Sequence, residues 1–382
     1  MNKIIALFLV LSAVSSAYAI KILSGPYLQQ VDENSATVVW TTDVDGVSWV
    51  EIAPDDGSHF YATERPKFFD APMGKKQITK IHRVKVSGLE SGKKYFYRAF
   101  TKEITGSKGE RFFYGDIAST RVYKRTPPHI KTFEQDKESL QFTIVNDIHE
   151  DTKRLGTFLS DTETDDFIVF NGDMVNNMRS HEQMYEACLM PATIATKSSK
   201  PILFARGNHE TRGKVSESYM DFFPTDTGKP YFAKKIGKFF FVFLDSGEDK
   251  PDSDIEYSDT ADFDNYRKNQ AEWLKGIVES DDFKNAYKRI IITHIPPHWG
   301  TWHGSANFRK YFSPVMKGKK IDVIFSGHLH GEYKFYQPDE NFDAPCVMNS
   351  NMEKVKVSVN KDEIVCDFYD INMKKVRTTV IK

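Results

Sequence analysis

The sequence predicts two domains in tandem, an all-β sandwich followed by a layered α/β domain. Three observations carry that reading. Period-two alternation dominates the first third, a polar stretch with a Pro-Pro follows, and after Leu140 short apolar strands alternate with helical segments. With 382 residues, 40% of them apolar and 13% aromatic, the chain can build one large core or two ordinary ones. The formal charge of −1 gives no reason to expect a nucleic-acid-binding surface or an acidic tail.

Residues 1–19 have the three-part layout of a cleavable leader: Lys3, an apolar run from Ile4 to Leu11, then a Ser/Ala-rich stretch ending Ala17-Tyr18-Ala19. Cleavage is expected after Ala19, and the protein is expected to be secreted or periplasmic. The run is too short to span a bilayer, and no later window suits a transmembrane segment. The three cysteines, Cys188, Cys346 and Cys366, are too few for a disulfide scaffold. Cys346 and Cys366 fall in late strand-like segments, where a pair and two buried thiols are both open.

Residues 20–125 read as the sandwich. In "SATVVWTT" Ala36, Val38 and Trp40 alternate with Thr37, Val39 and Thr41, and "SWVEI" and "HRVKV" repeat the pattern. "LESGKKYFYRAF" gives a turn and then a strand with Tyr95, Tyr97 and Ala99 on one face. A Leu, a Gly turn and a Tyr also give the look of a tyrosine corner in an immunoglobulin-like sandwich. His59 and His82 stand alone, as surface or core histidines do. Residues 126–139 read as a linker or wrapped connection. From 140 to 382 the strands "FTIV", "FIVF", "ILFA", "FFFVFL", "IIIT" and "DVIFS" are fully apolar, as expected of sheets covered on both faces. A helix is expected over 262–280, with Tyr266, Trp273, Leu274 and Ile277 on one face. The last forty residues read as a meander extending the second sheet.

The chemistry lies at the strand ends. "FTIVN" runs into Asp147-Ile148-His149, and "FIVFN" into Gly172-Asp173. "ILFAR" runs into Gly207-Asn208-His209-Glu210, "RIIIT" into His294, and "DVIFS" into Gly327-His328-Leu329-His330. Ligands bind outside the carboxyl ends of strands in open α/β sheets. A lone Asp there is usually a helix cap and a lone His a satisfied polar group. Five strand ends in a row filled by Asp, Asn or His, with no thiolate nearby, describe a site for hard or borderline divalent metals.

The ordered blocks "DIH … GD … GNHE … TH … GHLH" resemble the calcineurin-like metallophosphoesterases. The opening "SGPYLQQVDENSATVVWTTD", with "VSGLESGKKYFYR", resembles the fibronectin III-like N-terminal domain of purple acid phosphatases. The resemblance implies an αββα second domain and a dinuclear phosphatase of phosphate monoesters, working by in-line attack of a metal-bridging hydroxide. It implies one metal on Asp147, His149, Asp173 and His330, and a second on Asp173, Asn208, His294 and His328, with Asp173 bridging. It makes His209 the general acid. A carboxylate can bind two cations at once, and metals about 3.5–4 Å apart acidify a shared water.

The chain departs from the purple enzymes at two positions. Asn176 stands where they have a ferric-binding tyrosine, and His149 stands where they have no ligand. Two divalent ions, two aspartates and a hydroxide leave one net positive charge, as a ferric–divalent pair with an added phenolate does. Two divalent ions (Mn, Fe(II) or Zn) are therefore expected, without purple colour. In protein-phosphatase relatives an Asp at position 176 pairs with the catalytic histidine, so Asn176 is expected to orient His209 without supplying charge. Arg206 is read either as a phosphate contact or as a surface charge. His298, Trp299, Trp302 and His303, just after His294, are read either as lining of the phosphate-ester pocket or as packing. The remaining functional readings are a phosphodiesterase or nucleotidase of the same fold, and a non-catalytic binding or adhesion module.

Overall fold

The computed structural model describes residues 19–382 apart from 123 and 332; the expected leader, Ala19 excepted, lies outside the described residues. In the N-terminal region the β-branched and aromatic residues of Ser35–Pro54 form a 20-residue strand. Its first half pairs antiparallel with Ile22–Gln29 and Ile78–Ser87, and its second half with Lys94–Lys108 and Lys67–Phe69. A register shift between Thr41 and Gly46 marks the change of partners, where a Cβ on Gly46 would collide with Thr101. Trp40 lies at full burial in the core, its indole N–H donating to Thr101 Oγ1 at 2.8 Å. The Tyr95 hydroxyl accepts from the Glu90 backbone N–H at 3.1 Å, which ties the "LESGKKY" turn to its strand. His59 is exposed, whereas His82 is buried between Thr42 Oγ1 (2.8 Å) and Ser48 Oγ (2.6 Å).

The second region is a mostly α/β unit with two six-stranded mixed sheets packed face to face. One sheet runs Ile202–Ala205, Phe167–Asn171, Ser139–Val145 in parallel, then Glu353–Asn360, Ile364–Asp370, Lys375–Ile381 antiparallel. The other centres on Phe239–Leu244, Lys288–Thr293 and Val323–Ser326, which are parallel. The run "FFFVFL" shows why no polar alternation is visible. Phe239, Phe241 and Phe243 face the other sheet, and Phe240, Val242 and Leu244 face the helices Phe263–Glu279 and His303–Met316. Between the sheets Phe142 stacks on Phe167 (4.8 Å), and Phe241 meets both edge-on at 5.6 and 5.4 Å. Helices cover both outer faces, completing four layers. Among the described residues no helix is long and apolar enough to cross a membrane.

Three expectations are corrected. Part of the polar connection is a strand, His129–Lys131, which pairs with Lys94–Phe96. The helix Phe263–Glu279 buries Arg267, Gln270, Ala271, Leu274 and Val278, so of the expected face only Leu274 is fully buried. The face is turned because Arg267 and Gln270 serve buried carbonyls, of Ser246 and Asp245 respectively. The C-terminal meander extends the first sheet, through Ser139–Val145, because the second is closed by Cys346–Met348 and Lys334–Tyr336. All three cysteines are free and buried, with Cys346 and Cys366 in different sheets.

The two regions share a hydrogen-bonded contact. Tyr27 donates to the Phe222 carbonyl (2.8 Å), Gln29 to Ile202 (2.8 Å) and Tyr97 to Ser198 (2.7 Å), while Arg83 pairs with Asp221 at 2.8 Å.

Candidate metal centre

Five parallel strands from the two sheets point their carboxyl ends at one place. The loops after Val145 and Asn171 are joined by backbone bonds: Asp147 N–H to Gly172 O, His149 to Asp173 and Glu150 to Met174, each at 3.0 Å. Asp147, His149, Asp173 and His328 all have positive φ, between 48° and 74°, a region few non-glycine residues occupy. Such conformations persist where surrounding contacts dictate them, and cluster at functional sites. Glycine is required beside them, because a Cβ on Gly172 would strike the His294 ring and one on Gly207 the Asp173 carboxylate.

Three groups of donors meet here: Asp147, His149 and His330; His149, Asp173 and His209; Asp173, His294 and His328. Within each group the donor atoms lie within 4.8 Å of one another. Asp173 Oδ2 is the hub, 3.0 Å from His294 Nε2 and 3.9 Å from Nε2 of both His149 and His209. Its other oxygen accepts from the His209 N–H at 3.0 Å. Asp147 divides its oxygens the same way. Oδ2 accepts from Asn146 Nδ2 (2.7 Å) and the His328 N–H (2.8 Å), leaving Oδ1 to face His330 Nε2 at 3.2 Å. Asn208 Oδ1 lies 3.1 Å from His328 Nδ1, which brings the amide into the same cluster.

The histidine tautomers follow from acceptors that cannot donate. His294 Nδ1–H donates to the Asn171 carbonyl at 2.8 Å, and His209 Nδ1–H to the Asn176 carbonyl at 2.5 Å. Each therefore turns Nε2 to the centre, the arrangement by which a metal-binding imidazole is oriented. His328 Nε2 is buried without a hydrogen-bond partner, and buried Asp147 Oδ1 and His294 Nε2 face the cluster's own charged groups. Burying such groups is costly unless something else satisfies them, and a cation does so. Without one, burial opposes their ionisation but the neighbouring charges win: the Asp173 and Asp147 carboxylates push His294 up to about 10, and His294 holds both carboxyls below their usual range. His328, buried beside charged His294, falls to about 4. Clustered Asp and His donors suited to a dinuclear divalent-metal site are thus present.

A family model described as calcineurin-like phosphoesterase matches residues 140–332, half of the chain. The chain belongs to that family. This calcineurin-like phosphoesterase is also similar to purple acid phosphatase 22 of Arabidopsis thaliana, 25% identical over 70% of this chain and 56% of the relative. It is similar to purple acid phosphatase 5 of the same plant, 23% identical over 80% of this chain and 68% of that one. The chain thus spans little more than half the length of the first of these relatives. A solved purple acid phosphatase from yellow lupin (Lupinus luteus) seeds shares the fold, with a TM-score of 0.66 at 16% identity, over 95% of this chain and 74% of that one.

Among the other expected site residues the structure separates near from far. Asn176 is near, but its amide Oδ1 faces His149 Nδ1 at 3.1 Å, and only its backbone carbonyl serves His209. The expectation that its side chain orients His209 is corrected. Arg206 is not a surface charge: its guanidinium is held by Asp245 at 2.7 and 2.9 Å, over the rings of Tyr219 and Tyr266. Trp302 stands edge-on to His328, with centroids 5.5 Å apart, and Trp299 packs on Trp302 at 4.8 Å. His298 packs instead on Tyr336 and Phe342, and His303 pairs with Asp264 at 2.7 Å.

Sequence reasoning missed Glu210. Its buried carboxylate accepts from four backbone N–H groups, of Asp173, Met174, Val175 and Gly207, at 2.7–3.3 Å. It clamps the Asp173 turn to the Asn208 turn, and burial with the Asp173 charge pushes its carboxyl up to about 7. An acid one residue beyond His209, in a segment whose neighbours are all polar, was the available signal.

Proposed function

We propose that the chain hydrolyses phosphate monoesters at a centre holding two divalent ions. The observation that carries this is the hub at Asp173 Oδ2, one carboxylate oxygen facing the imidazoles of both His149 and His294. Asp147, His149, Asp173 and His330 would hold one ion, and Asp173, Asn208, His294 and His328 the other. The bound pair would supply Lewis-acid charge and an acidified water for in-line attack. His209 keeps Nε2 toward the centre through its Nδ1–H bond to Asn176, so a proton on Nε2 is placed for the departing ester oxygen. Asn176 supplies no phenolate, which favours a divalent pair (Mn, Zn or Fe(II)) and a colourless protein. The leader-like residues 1–19 support export, and the tie of Tyr95 to Glu90 supports a fibronectin III-like reading of the N-terminal sandwich.

The test is phosphate or phenol release by metal-loaded protein from p-nitrophenyl phosphate and bis-p-nitrophenyl phosphate. The monoester is expected to react with the higher kcat/KM, and Asp173→Ala to abolish turnover. Preference for the diester would make the protein a phosphodiesterase, and wild-type protein holding two ions yet cleaving neither would end the catalytic reading.

A further inference from the structure

Trp302 is 45% exposed, although large aromatic side chains are usually buried, and it adjoins a residue of the metal centre. Hydrogen bonds hold the backbone on both sides of it. As the residue preceding the helix His303–Met316, it offers its carbonyl to the Ala306 N–H at 2.9 Å. The next turn is pinned by the Gly304 N–H on the Asp249 carbonyl at 2.8 Å, in a gap where a Cβ would meet backbone. The loop ahead of it is held by Arg309, which donates to the carbonyls of Pro297 (2.8 Å), Trp299 (3.4 Å) and Gly300 (2.8 Å). Trp299 and His328 both meet the Trp302 ring nearly perpendicular, at 77° and 90°. The result is an indole placed beside the centre, packed between Trp299 and His328, with much of its surface still open to solvent.

We propose that Trp302 forms the wall of a substituent subsite selecting phosphate esters whose alcohol part carries a planar aromatic ring. This rests on the phosphate-ester reading above and extends it to the substrate. A phosphate held at the centre carries its ester substituent outward from the ions, and the open face of Trp302 is aromatic surface bordering His328 at that centre. Preorganised aromatic surface adds contact there at little entropic cost. The shared chemistry is the planar ring, either a phenyl bonded to the ester oxygen or a base carried on ribose.

The experiment compares kcat/KM for phenyl phosphate, adenosine 5′-monophosphate and ethyl phosphate in wild-type protein, Trp302→Ala and Trp302→Phe. The aromatic-to-ethyl ratio should fall about threefold to tenfold in Trp302→Ala and largely recover in Trp302→Phe. Whichever aromatic arm falls names the source of the ring. Fluorescence supplies a readout independent of turnover: phenylphosphonate should quench wild-type emission more than methylphosphonate does, and Trp302→Phe should lose the difference. Unchanged ratios in both arms would overturn the subsite while leaving the phosphatase reading intact. Wild-type protein that turns over none of the three esters would remove both.

Discussion

Asp173 gives its two oxygens different tasks: Oδ1 receives the His209 N–H and Oδ2 faces the imidazoles. The residues around it act mainly by orientation. Asn176→Ala removes the amide that fixes His149 and is expected to weaken metal binding about 10- to 100-fold, read by calorimetric titration. Asn176→Asp should act on His149 for the same reason, leaving the basic limb of the pH–rate profile in place; an upward shift of that limb would contradict the geometry. Glu210→Gln replaces an acceptor of four N–H bonds with a group that is half donor. A loss of about 1–3 kcal/mol in unfolding free energy is expected, with lower metal occupancy. The strand-end Asp, Asn and His residues were legible in sequence because each follows its own strand. Their supports were not, since Asn146 is held by Asn349, 203 residues away, and direction alone separates Trp302 from His298.

Among the elements, the strand Ile78–Ser87 carries a buried switch on stability. Burial lowers His82 to about 3, so it stays neutral between Thr42 and Ser48. Its folded pKa lies below the unfolded value of about 6.5. The unfolded state therefore binds more protons between these values, and stability present above pH 6.5 is lost as pH falls toward 3. Between pH 7 and pH 4.5 this amounts to up to about 3 kcal/mol. Urea unfolding of wild type and His82→Gln at both pH values should show a smaller loss in the variant, and equal losses would refute the assignment. In the second region Phe241→Ala should cost about 3–5 kcal/mol by opening the space between Phe142 and Phe167. Apolar strands and their alternation of faces were readable from composition and period. The buried face of Phe263–Glu279 was not, because Arg267 and Gln270 take core positions through hydrogen bonds that periodicity does not see.

At the scale of the whole chain, buried Tyr27, Leu28 and Tyr97 join the N-terminal β region to the α/β unit. That contact predicts one cooperative thermal transition for residues 20–382, with calorimetric and van't Hoff enthalpies equal. Two separated transitions would show that the contact is weak. The order of the two regions was legible from the change of pattern near Leu140. Which sheet the C-terminal meander joins was not, because it depends on pairing with Ser139–Val145 more than two hundred residues earlier. The centre itself depends on this level of organisation, since its donors come from both sheets. Metal analysis by inductively coupled plasma mass spectrometry on wild type and Asp173→Ala tests the central claim most directly. Two divalent ions per chain are expected in wild type and at most one in the variant. One ion or none in wild type under saturating metal, or two retained in Asp173→Ala, would contradict a centre bridged by Asp173.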